Sequence, residues 1–276
     1  MIGVFDSGHG GLTTLAALQT SLPEEAFLYL GDHANAPYGP RPAAEIVALT
    51  RNALDHLFRM GCSLVIVACN TAAAVALRDL QQGWLARTWP DHRALGVFVP
   101  VIERLSGRSW AASGPPVDLG GERIGVFATQ ATVDSEAFPR EMAFRARNVD
   151  IRQVACPGLV DALEAGRIAD ARTLARGFAG KLADFAPQRV FLGCTHYPLV
   201  ADAFAAGLPH GTGILSQPDC VAEALLDYLV RHPRHRTTSA TGTRYTTTGA
   251  PDAVRAAART LTDRDLSFAK VVLSRS

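Results

Sequence analysis

Two cysteines end apolar runs and are followed at once by polar residues. Cys69 closes Leu64-Val65-Ile66-Val67-Ala68-Cys69 and precedes Asn70-Thr71; Cys194 closes Val190-Phe191-Leu192-Gly193-Cys194 and precedes Thr195-His196. Each run reads as a buried parallel strand that delivers a thiol to a strand-to-helix turn, where open α/β sheets bind ligands. A helix N-terminus is expected to lower a thiol pKa from about 8.5 toward neutrality. Asn70, Thr71 and Thr195 add hydrogen-bond donors, and Asp6 and His196 are candidate proton partners. Two opposed monoprotic groups suit proton exchange at a carbon centre, since a proton removed from one face must return on the other. Near-symmetric groups also suit substrates that are mirror images. Cys62, Cys156 and Cys220 lack this setting and read as buried structural thiols.

Other segments also have the look of a site. Asp6-Ser7-Gly8-His9-Gly10-Gly11 follows the first strand and opens a helix, where a carboxylate or phosphate is favoured. It is not a dinucleotide fingerprint, because the third glycine would fall at Thr13. Gly31-Asp32-His33 and Pro37-Tyr38-Gly39 follow the second strand. Asp32 with His9, His33 and His196 raises the thought of a metal, but the acidic set is too thin and no CxxC pair occurs, so no metal is expected.

The elements that position these residues alternate between strand and helix. Strands are expected at 2–5, 26–30, 64–68, 94–99, 123–128, 150–154, 189–192, 213–215 and, peripherally, 243–248. Ile46, Leu49, Ala53, Leu57 and Met60 recur at helical spacing, and further helices are expected after Thr71 and over 159–165, 170–185 and 221–230. This pattern predicts an α/β fold of doubly wound, mainly parallel sheets. The glycine- and proline-rich stretch 106–121, with an isolated Trp110, reads as a loop or crossover. The expected division is a discontinuous first domain, 1–97 with 209–276, and a second domain, 98–208.

With 276 residues, 48% of them apolar, the chain supports a sizeable core. A net charge of +1 gives no electrostatic case for nucleic acid, and no stretch of about 18 apolar residues suggests a membrane span. No signal peptide is visible, so a reduced, cytoplasmic protein is expected. Its two lysines, Lys181 and Lys270, lie outside every motif, so no pyridoxal cofactor is expected.

The motifs Gly3-Val4-Phe5-Asp6-Ser7-Gly8, Gly31-Asp32 with Pro37-Tyr38-Gly39, Ala68-Cys69-Asn70-Thr71-Ala72 and Gly193-Cys194-Thr195-His196-Tyr197-Pro198-Leu199 together resemble glutamate racemase, in the aspartate/glutamate racemase superfamily. Weaker matches are Gly125–Thr129 with Thr132, and Cys156–Val160. The resemblance implies two similar domains about a pseudo-twofold axis with the active site between them. It implies cofactor-independent interconversion of L- and D-glutamate, supplying D-glutamate for peptidoglycan. The catalytic pair carries onto Cys69 and Cys194, and substrate contacts onto Asp6, Ser7, Tyr38, Gly39, Asn70, Thr71, Thr195 and His196. Cys69 would take the proton from D-glutamate and Cys194 from L-glutamate. A homodimer is expected.

The sequence departs from the usual family pattern at Asn35, at 97–104, in the length of 106–121 and at Ser216-Gln217-Pro218. Three rivals remain at this point. They are a superfamily racemase acting on aspartate or another small acid, a two-domain protein that binds an amino acid without turnover, and a metal-dependent hydrolase.

Overall fold

The computed structural model describes residues 1–109, 112–237 and 242–274; Trp110 lies outside them. Among the described residues, all paired strands are parallel, in two sheets. In the first sheet the strands run Phe268–Lys270, Thr243–Thr247, Phe27–Gly31, Ile2–Asp6, Leu64–Val67, Arg93–Gly96. In the second they run Ala146–Ala155, Val117–Ala128, Arg189–Gly193, Gly213–Leu215.

The two sheets share one plan. Taking the first four strands of each in chain order, both are arranged second, first, third, fourth. The chain therefore reverses direction across each sheet between its first and third strands, the switch point at which such sheets hold ligands. Asp6 and Cys69 leave the first switch point; Ala128-Thr129 and Cys194 leave the second. The echo of the two cysteine motifs is thus an echo of topology.

Side-chain alternation explains why helices cover both faces. Ile2, Val4, Tyr29 and Ile66 pack with Leu12, Leu15 and Leu18 of helix Gly11–Ser21 and with Val221 and Leu225 of helix Gln217–Arg231. Phe5, Leu28, Leu30, Val65 and Val67 face the other way, onto Ile46, Leu54 and Leu57 of helix Ala43–Arg59. The second sheet repeats this. Phe127, Val190 and Leu192 meet helix Ile168–Gly180 on one face, and Ile124, Val126 and Phe191 meet helix Phe98–Ser106 on the other. Each fully buried side chain of this size contributes about 1.5–3 kcal/mol, so the apolar runs hold the strand ends in place.

Three elements differ from expectation. The strand expected over 94–99 is Arg93–Gly96, and Phe98 opens a helix instead. There Val101, Ile102 and Leu105 are buried on one side, and Pro100 sits in the first turn, where its missing N–H costs nothing. Part of the stretch read as a loop is strand: Val117 and Asp118 pair with Ala146 and Arg147 before a register shift that ends at Glu122. Phe268–Lys270 adds an edge strand that was not expected. The second sheet extends to Leu215, past the return placed near 208, while helix Gln217–Arg231 already packs on the first sheet.

Candidate active site

A cleft of about 110 Å³ lies where the two switch points meet. Its walls include Ser7, Tyr38, Gly39, Cys69, Asn70 and Thr71 from the first half and Cys194, Thr195 and His196 from the second. The two thiols share this cleft, and both are free and buried. A larger cavity of about 840 Å³, lined by Leu77, Trp89 and Tyr228 among others, contains neither thiol nor any other residue of the motifs.

Cys69 sits at the N-cap of the short helix Asn70–Val75. Its Sγ lies 3.3 Å from Ser7 Oγ. The expected lowering of its pKa by the helix does not occur. Burial, reinforced by the nearby Asp6 charge, pushes the Cys69 thiol up to about 12, against the opposing hydrogen bonds from Ser7 and the Ala72 amide. Desolvation disfavours the thiolate more than half a dozen residues of helix can favour it.

Cys194 has a different surrounding. Its Sγ lies 3.8 Å from His196 Nδ1, and His196 Nε2 lies 2.5 Å from Glu164 Oε1. Burial opposes a charged His196, but its hydrogen bonds to Cys194 and Glu164 outweigh burial and hold its pKa well above 6.5. Burial likewise opposes an ionised Glu164, and hydrogen bonds from His196 and His9 overcome it, holding the carboxyl far below its usual range. The two thiols are thus unlike: one is a dry thiol beside a carboxylate, the other faces an imidazolium.

Asp6 is fully buried and is not on the cleft wall. Its Oδ1 accepts the Gly8 N–H at 2.8 Å and its Oδ2 accepts the Thr195 hydroxyl at 3.1 Å. Burial raises its pKa, only partly opposed by His196 and these hydrogen bonds. It acts on the cleft through Thr195 and through its charge near Cys69. The anion expected at the glycine-rich loop turns out to be the protein's own: Glu164 Oε1 accepts the His9 N–H at 3.1 Å. The glycines serve close approach, since a Cβ on Gly8 would strike the Glu164 carboxylate and one on Gly10 would strike Thr195 and His196.

The remaining wall residues are held by partners from both halves. Thr71 Oγ1 lies 2.9 Å from Thr129 Oγ1, which lies 2.9 Å from Thr132 Oγ1. The Asn70 amide pairs reciprocally with Gln217, at 2.9 and 2.8 Å, leaving one amide hydrogen of Asn70 for a ligand. Tyr38 donates its hydroxyl to Asp32 at 2.7 Å, and Asp32 also receives Asn35 and Thr248. Sequence reasoning missed Glu164, Thr129 and Gln217 as site residues and passed over Cys156, which lines the cleft. Only the Gly125–Thr132 and Cys156–Val160 echoes and the departure from the family pattern at Ser216-Gln217-Pro218 hinted at any of them. Neither lysine is on the cleft wall: Lys181 lies over the Phe178 ring and Lys270 is on the edge strand. Among the described residues, no group of three or more His, Cys, Asp or Glu side chains has an arrangement to hold a metal, and no helix is long and apolar enough to cross a membrane.

Two parallel-sheet halves of one topology, each delivering a cysteine to a shared cleft, define a two-domain α/β racemase. Comparison with known proteins agrees with that class. The Asp/Glu/Hydantoin racemase family model matches residues 13–225. A glutamate racemase of Jannaschia sp. (strain CCS1) is 45% identical over 98% of this chain and 99% of its own. Among solved structures, a glutamate racemase isoform of Bacillus anthracis is 28% identical with a TM-score of 0.85, covering 99% of this chain and 97% of that one. A Francisella tularensis glutamate racemase, solved in complex with D-glutamate, is 25% identical with a TM-score of 0.84, covering 98% and 96%. The chain belongs to the glutamate racemases of the Asp/Glu/hydantoin racemase family.

Proposed function

We propose that this protein interconverts L- and D-glutamate without a cofactor, using Cys69 and Cys194 as the two acid/base groups, and so supplies D-glutamate for peptidoglycan. One observation carries the reading: both thiols line one cleft, at equivalent strand ends of two similar sheets. The names of relatives up to 47% identical over nearly the full chain support the substrate.

With L-glutamate bound, the Cys194 thiolate takes the Cα proton and becomes a thiol. The Cys69 thiol gives its proton to the opposite face of the same carbon and becomes a thiolate, and D-glutamate leaves. The reverse reaction exchanges the roles. In the ligand-free cleft burial holds Cys69 protonated, and His196 carries positive charge beside Cys194.

Removing a Cα proton leaves negative charge that must be met by fixed donors in a dry site. Asn70 and Thr71 serve as those donors, Ser7 and Thr195 line the cleft beside the two thiols, and Tyr38 and Gly39 close the wall around the substrate. The Thr195 hydroxyl donates to Asp6, so Asp6 orients the Thr195 side chain as well as setting the charge near Cys69. His196 moves protons to and from Cys194, and Glu164 holds it in place.

The reading includes two domains, a discontinuous first one built from both ends of the chain and a second one between them, a homodimeric assembly and a cytoplasmic location. Substrate choice is tested by racemisation of both enantiomers of glutamate beside both enantiomers of aspartate, followed by circular dichroism. Turnover of glutamate at least about tenfold faster supports the proposal, one decade in rate being about 1.4 kcal/mol of transition-state discrimination. Faster turnover of aspartate overturns it.

A further inference from the structure

We infer that His9 is a positioning residue for one half of this cleft: held in the first-sheet loop, it reaches across and fixes the carboxylate that orients His196 beside Cys194. The inference rests on the two-thiol reading above and adds a residue that takes no part in it. His9 is buried and is not on the cleft wall. Its Nδ1 lies 2.5 Å from Glu164 Oε2, and its backbone N–H donates to Oε1 at 3.1 Å. Oε1 is also the atom that His196 Nε2 meets at 2.5 Å. One carboxylate therefore ties a loop of the first half to the turn that follows Cys194.

Both ring nitrogens of His9 face atoms that only accept. Nε2 lies 3.1 Å from the carbonyl oxygen of Val254, at the start of helix Pro251–Thr262. A carboxylate and a carbonyl both accept, so the ring is held at both nitrogens. The His33 ring, 4.2 Å away edge-on, packs against it. Burial, together with the repulsion of His9, lowers the His33 pKa to about 3, so His33 is a neutral neighbour. Glu164 thus sits between two imidazoles, one serving Cys194 and the other anchored to the first half. Cys69, served by Ser7 and Asp6, has no part in this chain.

That asymmetry provides the test. Asn in place of His puts an amide nitrogen where Nδ1 stands, whereas Gln puts one where Nε2 stands. His9→Asn therefore keeps the bond to Glu164, His9→Gln keeps only the bond to Val254, and His9→Leu loses both. Each is placed in a Cys69→Ser background, where Cα–H exchange of L-glutamate with deuterated solvent reports on Cys194. Each is also placed in a Cys194→Ser background, where exchange of D-glutamate reports on Cys69. Loss of a charge-assisted hydrogen bond is expected to slow the Cys194 exchange about tenfold or more in His9→Leu and His9→Gln, with His9→Asn within about threefold of the parent and the Cys69 exchange within about twofold throughout. Equal slowing of both exchanges, or rescue by Gln rather than Asn, overturns the assignment. If the single-cysteine proteins with His9 intact exchange neither enantiomer, the two-thiol reading fails. Alkylation of the otherwise unaltered protein by iodoacetamide, mapped by mass spectrometry, then decides His9. A rate changed about threefold or more at Cys194 alone supports the role, and a rate unchanged or changed equally at both cysteines overturns it.

Discussion

The Asp6 carboxylate accepts the Thr195 hydroxyl at 3.1 Å, joining the buried acid behind Cys69 to the residue that follows Cys194. A single charge thereby bears on both halves of the cleft. Burial comes first and Asp6 second among the causes that push the Cys69 thiol up to about 12. Asp6→Asn removes the negative neighbour and makes the Cys69 thiolate easier to form. The pH at which Cys69 is half-maximally alkylated should fall in this variant; a value unchanged or higher would show that Asp6 does not set that thiol. Loss of a group that orients Thr195 and tunes a proton carrier should also cost about 10²-fold in kcat/KM.

Glu164→Gln tests the link between charge and stability. The His196 pKa is raised in the fold above 6.5, so its stabilising contribution is full below pH 6.5 and is lost as pH rises through the folded value. The Glu164 pKa is depressed below 4.5, so its contribution is full above pH 4.5 and is lost as pH falls through the folded value. The parent's advantage over Glu164→Gln in urea unfolding should therefore be greatest between pH 4.5 and 6.5 and shrink on either side. A pH-independent difference would contradict the pairing.

Gly10 is a point of close approach between the halves. A Cβ there would strike the Thr195 hydroxyl and the His196 ring. Gly10→Ala should fold, because the loop backbone at Gly10 is in an ordinary helical conformation, φ −58 and ψ −35. It should nevertheless lose about 10²-fold in kcat, the cost of misplacing catalytic groups by about 1 Å. Near-parental kcat would mean that the seam yields freely.

Much of this site was legible because strand ends can be read from apolar runs that stop at polar residues. Leu64–Val67 and Arg189–Gly193 are such runs, and each hands over a cysteine. What was not legible depends on distance. Glu164 ends an unremarkable helix and meets His9 only by folding across a separation of 155 positions, and Gln217 meets Asn70 across 147. The stretch Val97–Val99 misled because a short apolar run suits a buried strand or a buried helix equally. The edge strand Phe268–Lys270 has only Phe268 buried, so it carries no alternation to read. The pKa of Cys69 went the other way because burial cannot be seen in a motif.

Proton exchange at carbon through two thiols needs no metal. Racemisation should survive exhaustive dialysis against EDTA, with kcat unchanged within about twofold, since a Lewis-acid metal stabilises such a transition state by several kcal/mol. Loss of activity that added metal restores would show the account to be wrong.

The central claim is that Cys69 and Cys194 serve opposite faces of one carbon. Cys69→Ser and Cys194→Ser are most directly compared by Cα–H exchange of each glutamate enantiomer in deuterated solvent, alongside racemisation. A serine hydroxyl keeps the shape but is a poor proton carrier near neutral pH, so each variant should lose at least about 10²-fold in racemisation. Cys69→Ser should still exchange L-glutamate, and Cys194→Ser should still exchange D-glutamate, each for that enantiomer alone. Near-parental racemisation by either variant, or exchange of the opposite enantiomer, would contradict the assignment of these two thiols.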